Sequence, residues 1–287
     1  MSELSTNVRD WIGREQIRDD QITAAPLAAM SATLDRDDAE PCDGDALPPL
    51  WHWLFFLPRP LARDIGPDGH PTLGGFLPPV GLPRRMWAGS RITFEHAPRV
   101  GEPVQRVSRI VDITEKTGAA GRLVFVTVQH EIRTPRGVAI HETHDIVYRD
   151  APTSGQGPQA ASALPPTDVG VAEFSRVITP DPVLLFRYSA LTFNGHRIHY
   201  DQPYATGVEG YPGLVVHGPL VATLLIDLLR RERPDAVVRT FRFKAQRPLF
   251  HTAPFTVNGR ADSATQFSLW AAGPNGQIAV QATATIA

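Results

Sequence analysis

The sequence predicts an α+β protein of two similarly built halves, each a block of antiparallel strands wrapped around a helix. Three observations predict it. A charge-free stretch at 151–167, APTSGQGPQAASALPPT, is rich in Pro, Ala, Ser and Gly and reads as a linker. On either side of it helical patterning comes first, and a run of alternating strand-like segments follows. In the second half the segment 219–230, PLVATLLIDLLR, is almost wholly apolar and must be buried on all sides.

The C-terminal half has helical patterning at 182–193 and at 219–230, the latter with proline in its first turn. Strands are expected at 237–245, 254–261, 266–272 and 278–286, with Gly273-Pro274-Asn275-Gly276 as a hairpin turn between the last two. The N-terminal half repeats the order with helical sequence at 11–34, a short apolar segment at 51–57, and strands at 86–95, 103–116, 123–134 and 138–148. Phe94 is followed by Pro98 much as Phe243 is followed by Pro248, a shared landmark that supports duplication. Strands that enclose an apolar helix bury it economically, which is the hotdog arrangement. The expectation is a double hotdog: 1–150, a linker at 151–167, and 168–287. Two unrelated α+β domains are the alternative organisation.

Lysine and arginine total 28 against 30 aspartates and glutamates, a net charge of -2 with no long run of either sign, which argues against nucleic acid as a partner. No apolar stretch approaches the roughly 20 residues needed to span a bilayer, and MSELSTNVRDWIGREQ lacks the apolar core of a secretory signal. No membrane partner is expected, and a cytoplasmic location is. The single cysteine, Cys42, cannot form an internal disulfide and reads as an inert loop residue.

The window 186–218, FRYSALTFNGHRIHYDQPYATGVEGYPGLVVHG, carries the chemistry. Asn194, His196, His199 and Asp201 fall within eight residues, where helical patterning gives out at Gly195. Such a turn can present side chains to a cleft. His196 and His199 are three apart, so zinc has to be weighed; without HExxH or a nearby cysteine, no metal is expected.

Here the chain resembles the MaoC-like (R)-specific enoyl-coenzyme A hydratases and dehydratases. Their pattern is aspartate, any residue, Asn-Pro, an aliphatic residue, His, any residue and Asp, followed downstream by His-Gly and a leucine-rich helix. Residues Asn194 to Asp201 lie on the first part and Val216-His217-Gly218-Pro219-Leu220 on the second. The histidine, the terminal aspartate and the His-Gly match, whereas Asn194, His196 and Arg197 replace aspartate, asparagine and proline. The forms FNGHRIHYD, RYSALT, GLVVHGPL and GLPRRMWAGSRITF look like one branch of that family: mesaconyl- and itaconyl-type hydratases and mitochondrial 3-hydroxyacyl-thioester dehydratases.

The resemblance implies a coenzyme A thioester as substrate, no separate cofactor, and three catalytic groups. His199 would move a proton between water and the α-carbon, with His196 in reserve. Asn194, an amide that cannot itself take a proton, would orient the water. Gly218 would offer its backbone N–H to the thioester oxygen at a helix start. The shortened segment at 51–57 would leave room for an acyl chain beneath the N-terminal sheet.

Arg84, Arg85 and Arg197 are candidates for phosphate or acyl carboxylate recognition, against a default of surface solvation. Tyr188 and Tyr211 could line the acyl pocket, although aromatics near a leucine-rich helix are more often core. Asp201 reads as a local cap and His217 as an anchor of its turn. The leading function is hydration of a short, branched, dicarboxylic enoyl-coenzyme A such as mesaconyl- or itaconyl-coenzyme A. The rivals are a 3-hydroxyacyl-thioester dehydratase, a hotdog thioesterase and a non-catalytic acyl-thioester binding module. Hotdog sheets commonly pair by their edges, so a homodimer is also open.

Overall fold

The structure, a computed structural model, describes residues 7–118, 121–150 and 169–287. The predicted linker lies outside them. Strands β1 (Glu15–Gln21), β2 (Arg84–Phe94), β3 (Pro103–Gly118), β4 (Gly121–Thr134) and β5 (Gly137–Arg149) come first, with helix α1 (Ala24–Thr33) after β1. Next come β6 (Phe174–Ile178), α2 (Pro182–Leu191), α3 (Gln202–Gly207) and α4 (Gly218–Glu232), then β7 (Val238–Ala245), β8 (Phe255–Ala261), β9 (Gln266–Ala272) and β10 (Ile278–Ile286).

The described strands form one ten-stranded sheet in the order β1-β3-β4-β5-β2-β7-β10-β9-β8-β6, every pairing antiparallel. Read outward from the centre, the two sides have the same topology: β2 with β7, β5 with β10, β4 with β9, β3 with β8 and β1 with β6. This is a double hotdog, and its seam is the β2–β7 pair, which sets Ser90 opposite Phe243 and Ile92 opposite Phe241. Close approach at the seam needs Gly89, where a Cβ would stand 2.3 Å from the Phe243 carbonyl oxygen.

α4 is the filling of the C-terminal half. Its residues from Leu220 to Leu229 are all buried, and it packs against β6, β8, β9 and β10. Pro219 fits the first turn, where a missing N–H costs nothing. The N-terminal counterpart has shrunk to one 3-10 turn, Trp51–Leu54. The room expected beneath that sheet is filled, because Trp51, Leu54, Phe55 and Phe56 join Ile92, Phe94, Ile132 and Ile140 in one buried cluster.

Two strands depart from the expected pattern. The segment 11–34, expected to be helical throughout, is helical only over Ala24–Thr33, while Glu15–Gln21 is the edge strand β1. EQIRDDQ has one apolar residue, Ile17, itself 57% exposed. An edge strand held by backbone bonds to β3 needs no apolar alternation, so it leaves no period to read. β6 is only five residues long, too short for a period to read.

One buried charge ties the halves together. Asp227 on α4 is 1% exposed and accepts from Arg36 Nη1 at 2.7 Å and from Arg231 Nε at 2.8 Å. Removing one partner of a buried ion network strands the remaining charges. We expect Asp227→Ala to cost about 3 kcal/mol of stability, read as a lower urea midpoint at unchanged slope.

Candidate active site

The candidate catalytic turn begins where α2 ends. Asp181 caps α2, its Oδ1 accepting from Leu184 N at 2.8 Å, and Pro182 opens the first turn. Phe193 at φ 47 reverses the chain, and Asn194 N donates back to Ser189 O at 2.8 Å. A 3-10 turn, Arg197–His199, then leads into α3, which Asp201 caps by accepting from Tyr204 N at 3.1 Å.

His199 is buried, with Nδ1 2.7 Å from the Val215 carbonyl oxygen. A carbonyl can only accept, so Nδ1 carries the proton and Nε2 keeps its lone pair. The His217 ring stacks on His199 with centroids 3.7 Å apart at 20°. Its Nε2 lies 2.8 Å from Ser189 Oγ on α2. Burial above all, and then the nearby His196, hold the His199 imidazole at about 3 against the opposing Val215 carbonyl. His217 is held well below its ordinary range, first by burial and then by His199. Both imidazoles are therefore neutral at physiological pH.

Asn194 uses its Oδ1 to accept from His196 N at 3.0 Å, which leaves the amide N–H groups as its free donors. The His196 ring stands edge-on to His199 at 5.3 Å. Gly218 is the first residue of α4, where a backbone N–H has no intrahelical acceptor. A Cβ there would come no nearer to the rest of the protein than 4.0 Å, from Trp87 O on β2. His199, His217 and the start of α4 thus meet at the seam between the halves.

A loop of the N-terminal half seats this turn, and nothing local in the sequence announced it. Arg197 N donates to Asp68 O at 2.9 Å, and the His70 ring lies 4.1 Å from that of His196. Gly69, at φ +88, permits the contact, since a Cβ there would stand 1.9 Å from Gly195 O. We expect Gly69→Ala to cost about 2 kcal/mol by urea denaturation. Gly75→Ala, with nothing within 4 Å, is the near-neutral control.

The remaining predicted residues divide clearly. Arg84 is committed to Glu209, Nε to Oε2 at 3.1 Å, and lies over the Tyr211 ring at 5.2 Å. Arg197 binds Asp201 Oδ2 through Nε at 2.9 Å and Nη2 at 2.8 Å, and Pro67 O through Nη1 at 3.0 Å. Tyr188 is 1% exposed and packs 5.0 Å from the His217 ring, a support behind the site and not a pocket wall. Arg84 and Arg197, expected to meet substrate, already have carboxylate partners, and Tyr188 and Tyr211 are buried against neighbouring side chains. Arg85 is different: burial lowers His70 and His196 and the charge of Arg85 lowers them further, while Arg85 reaches the Tyr148 hydroxyl and pairs with no carboxylate among the described residues.

Asp68, His70 and His196 each bring one potential ligand atom within 4.8 Å of the others, the one such group among the described residues. Beside the same loop, a cavity of about 450 Å³ is lined by Arg18, Asp19, Phe56, Leu57, Pro58, Arg59, Pro60 and Pro71. Pro71 follows His70 directly. No helix among the described residues is long and apolar enough to cross a membrane.

The double-hotdog chain is one of the MaoC-like hydratases and dehydratases. The family model for hydroxyacyl-thioester dehydratase type 2 matches residues 50–251, and the chain belongs to that family. It is 47% identical over 273 residues to the mesaconyl-C(4)-CoA hydratase of Chloroflexus aurantiacus, covering 95% of each chain. Identity to the mitochondrial hydroxyacyl-thioester dehydratase type 2 of Schizosaccharomyces pombe is 29%, over 83% of this chain and 87% of that one. A crystal structure of a MaoC-like dehydratase from Phytophthora capsici superposes with a TM-score of 0.68 at 14% identity, covering 98% of each chain.

Proposed function

We propose that this chain is a hydro-lyase that adds water across the double bond of a short dicarboxylic enoyl-coenzyme A of the mesaconyl-C4 type. The observation that carries the mechanism is the His199 Nδ1 bond to Val215 O, which fixes the tautomer and leaves Nε2 as a base. Water lies between Nε2 and the Asn194 amide, whose free N–H groups donate to the water oxygen. That oxygen bonds to the β-carbon as its proton passes to Nε2. The π electrons move to the α-carbon, with charge shared by the thioester oxygen against the Gly218 N–H and the positive end of α4. Nε2 then returns the proton to the α-carbon, so H and OH add to one face and the enzyme regenerates.

An asparagine suits this geometry where the wider family has aspartate. Its carbonyl is taken by His196 N, and only an amide keeps donors to spare. The cavity beside Pro71, with Arg59 in its wall, suits the phosphates of coenzyme A. The chemistry requires no metal, and dialysis against EDTA should leave the hydration rate unchanged.

The relative at 29% identity favours a second reading, dehydration of a 3-hydroxyacyl thioester, which is the same chemistry run in reverse on a plain chain. The test follows enoyl absorbance with mesaconyl-C4-coenzyme A, crotonyl-coenzyme A and longer enoyl thioesters. The proposal requires the highest kcat/KM on the dicarboxylic substrate. Release of free thiol without loss of the double bond would assign the chain to thioester hydrolysis instead.

A further inference from the structure

We infer that Arg85, with Tyr148 and His144 beside it, holds the free carboxylate of the acyl group and so determines substrate specificity. The inference rests on the hydratase reading above.

Strand register puts these groups on one surface. Arg85 of β2 stands opposite Tyr148 of β5, and Trp87 stands opposite Ile146. Residues directly opposite in an antiparallel pair share a face, as do alternate residues along a strand. Tyr148 is 1% exposed, so this face is the inner one. Along β5, Tyr148, Ile146 and His144 alternate onto this face, and the bulge in β2 sets Ser90 opposite His144.

His144 Nε2 is buried without a hydrogen-bond partner, and Tyr148 Oη is buried with only the Arg85 guanidinium within reach. A hydrogen bond is costly to leave unmade in a protein interior. A tyrosine hydroxyl, a neutral imidazole and a guanidinium can all donate, and a carboxylate offers several acceptor positions to donors of this kind. The charge of Arg85 reaches Tyr148 and His144 on one side and His70 and His196 on the other. It therefore lies between the N-terminal sheet and the catalytic turn.

The site is also in the right place for this substrate. In a mesaconyl-C4 thioester the carboxylate is bonded to the β-carbon, the atom that receives the water oxygen, so its binder must lie close to the base. Arg85 neighbours His196, whose ring is 5.3 Å from His199. Trp87 makes a second link, stacked on His144 at 3.9 Å and carrying the carbonyl nearest to Gly218. Arg84 and Arg197 are already paired with Glu209 and Asp201.

The experiment compares kcat/KM for mesaconyl-C4-coenzyme A and crotonyl-coenzyme A, which lacks the carboxylate, in wild type, Arg85→Gln, Arg85→Lys and Tyr148→Phe. Wild type should prefer the dicarboxylic substrate, and Arg85→Gln should reduce that preference roughly 10²-fold, mainly through KM. Arg85→Lys should retain part of the preference, since it keeps the charge but not the fork. If Arg85→Gln does not fold, the ratios for Arg85→Lys and Tyr148→Phe carry the same comparison. Equal proportional loss on both substrates in every folded variant overturns the role of Arg85. A wild-type enzyme without preference for the carboxylate overturns the substrate reading itself, before any variant is considered.

Discussion

His199→Ala should lower kcat on an enoyl-coenzyme A by roughly 10² to 10⁴-fold, the scale of losing a positioned general acid-base group. The effect should be this large because one nitrogen handles the proton twice, taking it from water and delivering it to carbon. Asn194 cannot take up a proton, so it does not substitute for Nε2. His199→Gln is the companion variant: it fills more of the space beside His217 and can still bond Val215 O, yet has no basic nitrogen. Turnover in both variants within tenfold of wild type, with urea midpoints near the wild-type value, would remove His199 from the mechanism. The same burial predicts the pH profile. With the imidazole at about 3, kcat/KM should show no His199 inflection near 6.5, and an inflection there that disappears in His199→Gln would contradict the buried neutral ring.

Acid should unfold this protein steeply, the second large effect. Burial holds His199 at about 3 and His196 at about 4, with His217 well below its usual value. The sign follows from proton counting. In the unfolded chain these imidazoles titrate near 6.5, so between about pH 6.5 and 4 the unfolded state binds more protons and gains on the folded one as pH falls. Three such groups together remove up to about 4 kcal/mol of stability per pH unit. His130, lowered to about 3, and His144, lowered to about 4, act in the same direction. A domain stable by about 5–15 kcal/mol should then lose its fold between about pH 5.5 and 4. Circular dichroism at graded pH measures this, and a urea midpoint that is flat from pH 7 to 4.5 would show that the histidines are solvated.

The legible and illegible parts of the site differ in kind. Asn194, His196, His199 and the His217–Gly218 pair could be found in the sequence because they cluster at a helix end and at a helix start. The apolar run of α4 fixed the filling of one hotdog because no soluble fold can leave PLVATLLIDLLR exposed. By contrast, β1 carries one apolar residue and β6 is five residues long, so neither shows a period strong enough to read. Asp68 and His70 stand more than 120 residues before the turn they seat, and no local pattern marks them.

What the sequence determined by itself was the pair of similarly built halves and the position of the candidate catalytic turn, because periodicity and local motif act over a few residues. Only the tertiary structure decided which arginine is left without a carboxylate partner. Arg84, Arg85 and Arg197 look alike in sequence, and the difference lies in partners brought from elsewhere: Glu209 and Tyr211 take the first, and Pro67 with Asp201 takes the last. The tautomer of His199 was decided in the same way, by a carbonyl 16 residues away at Val215. Charge pairing and proton placement depend on distances of a few ångströms in space, and those are set when the two halves close on each other along β2 and β7.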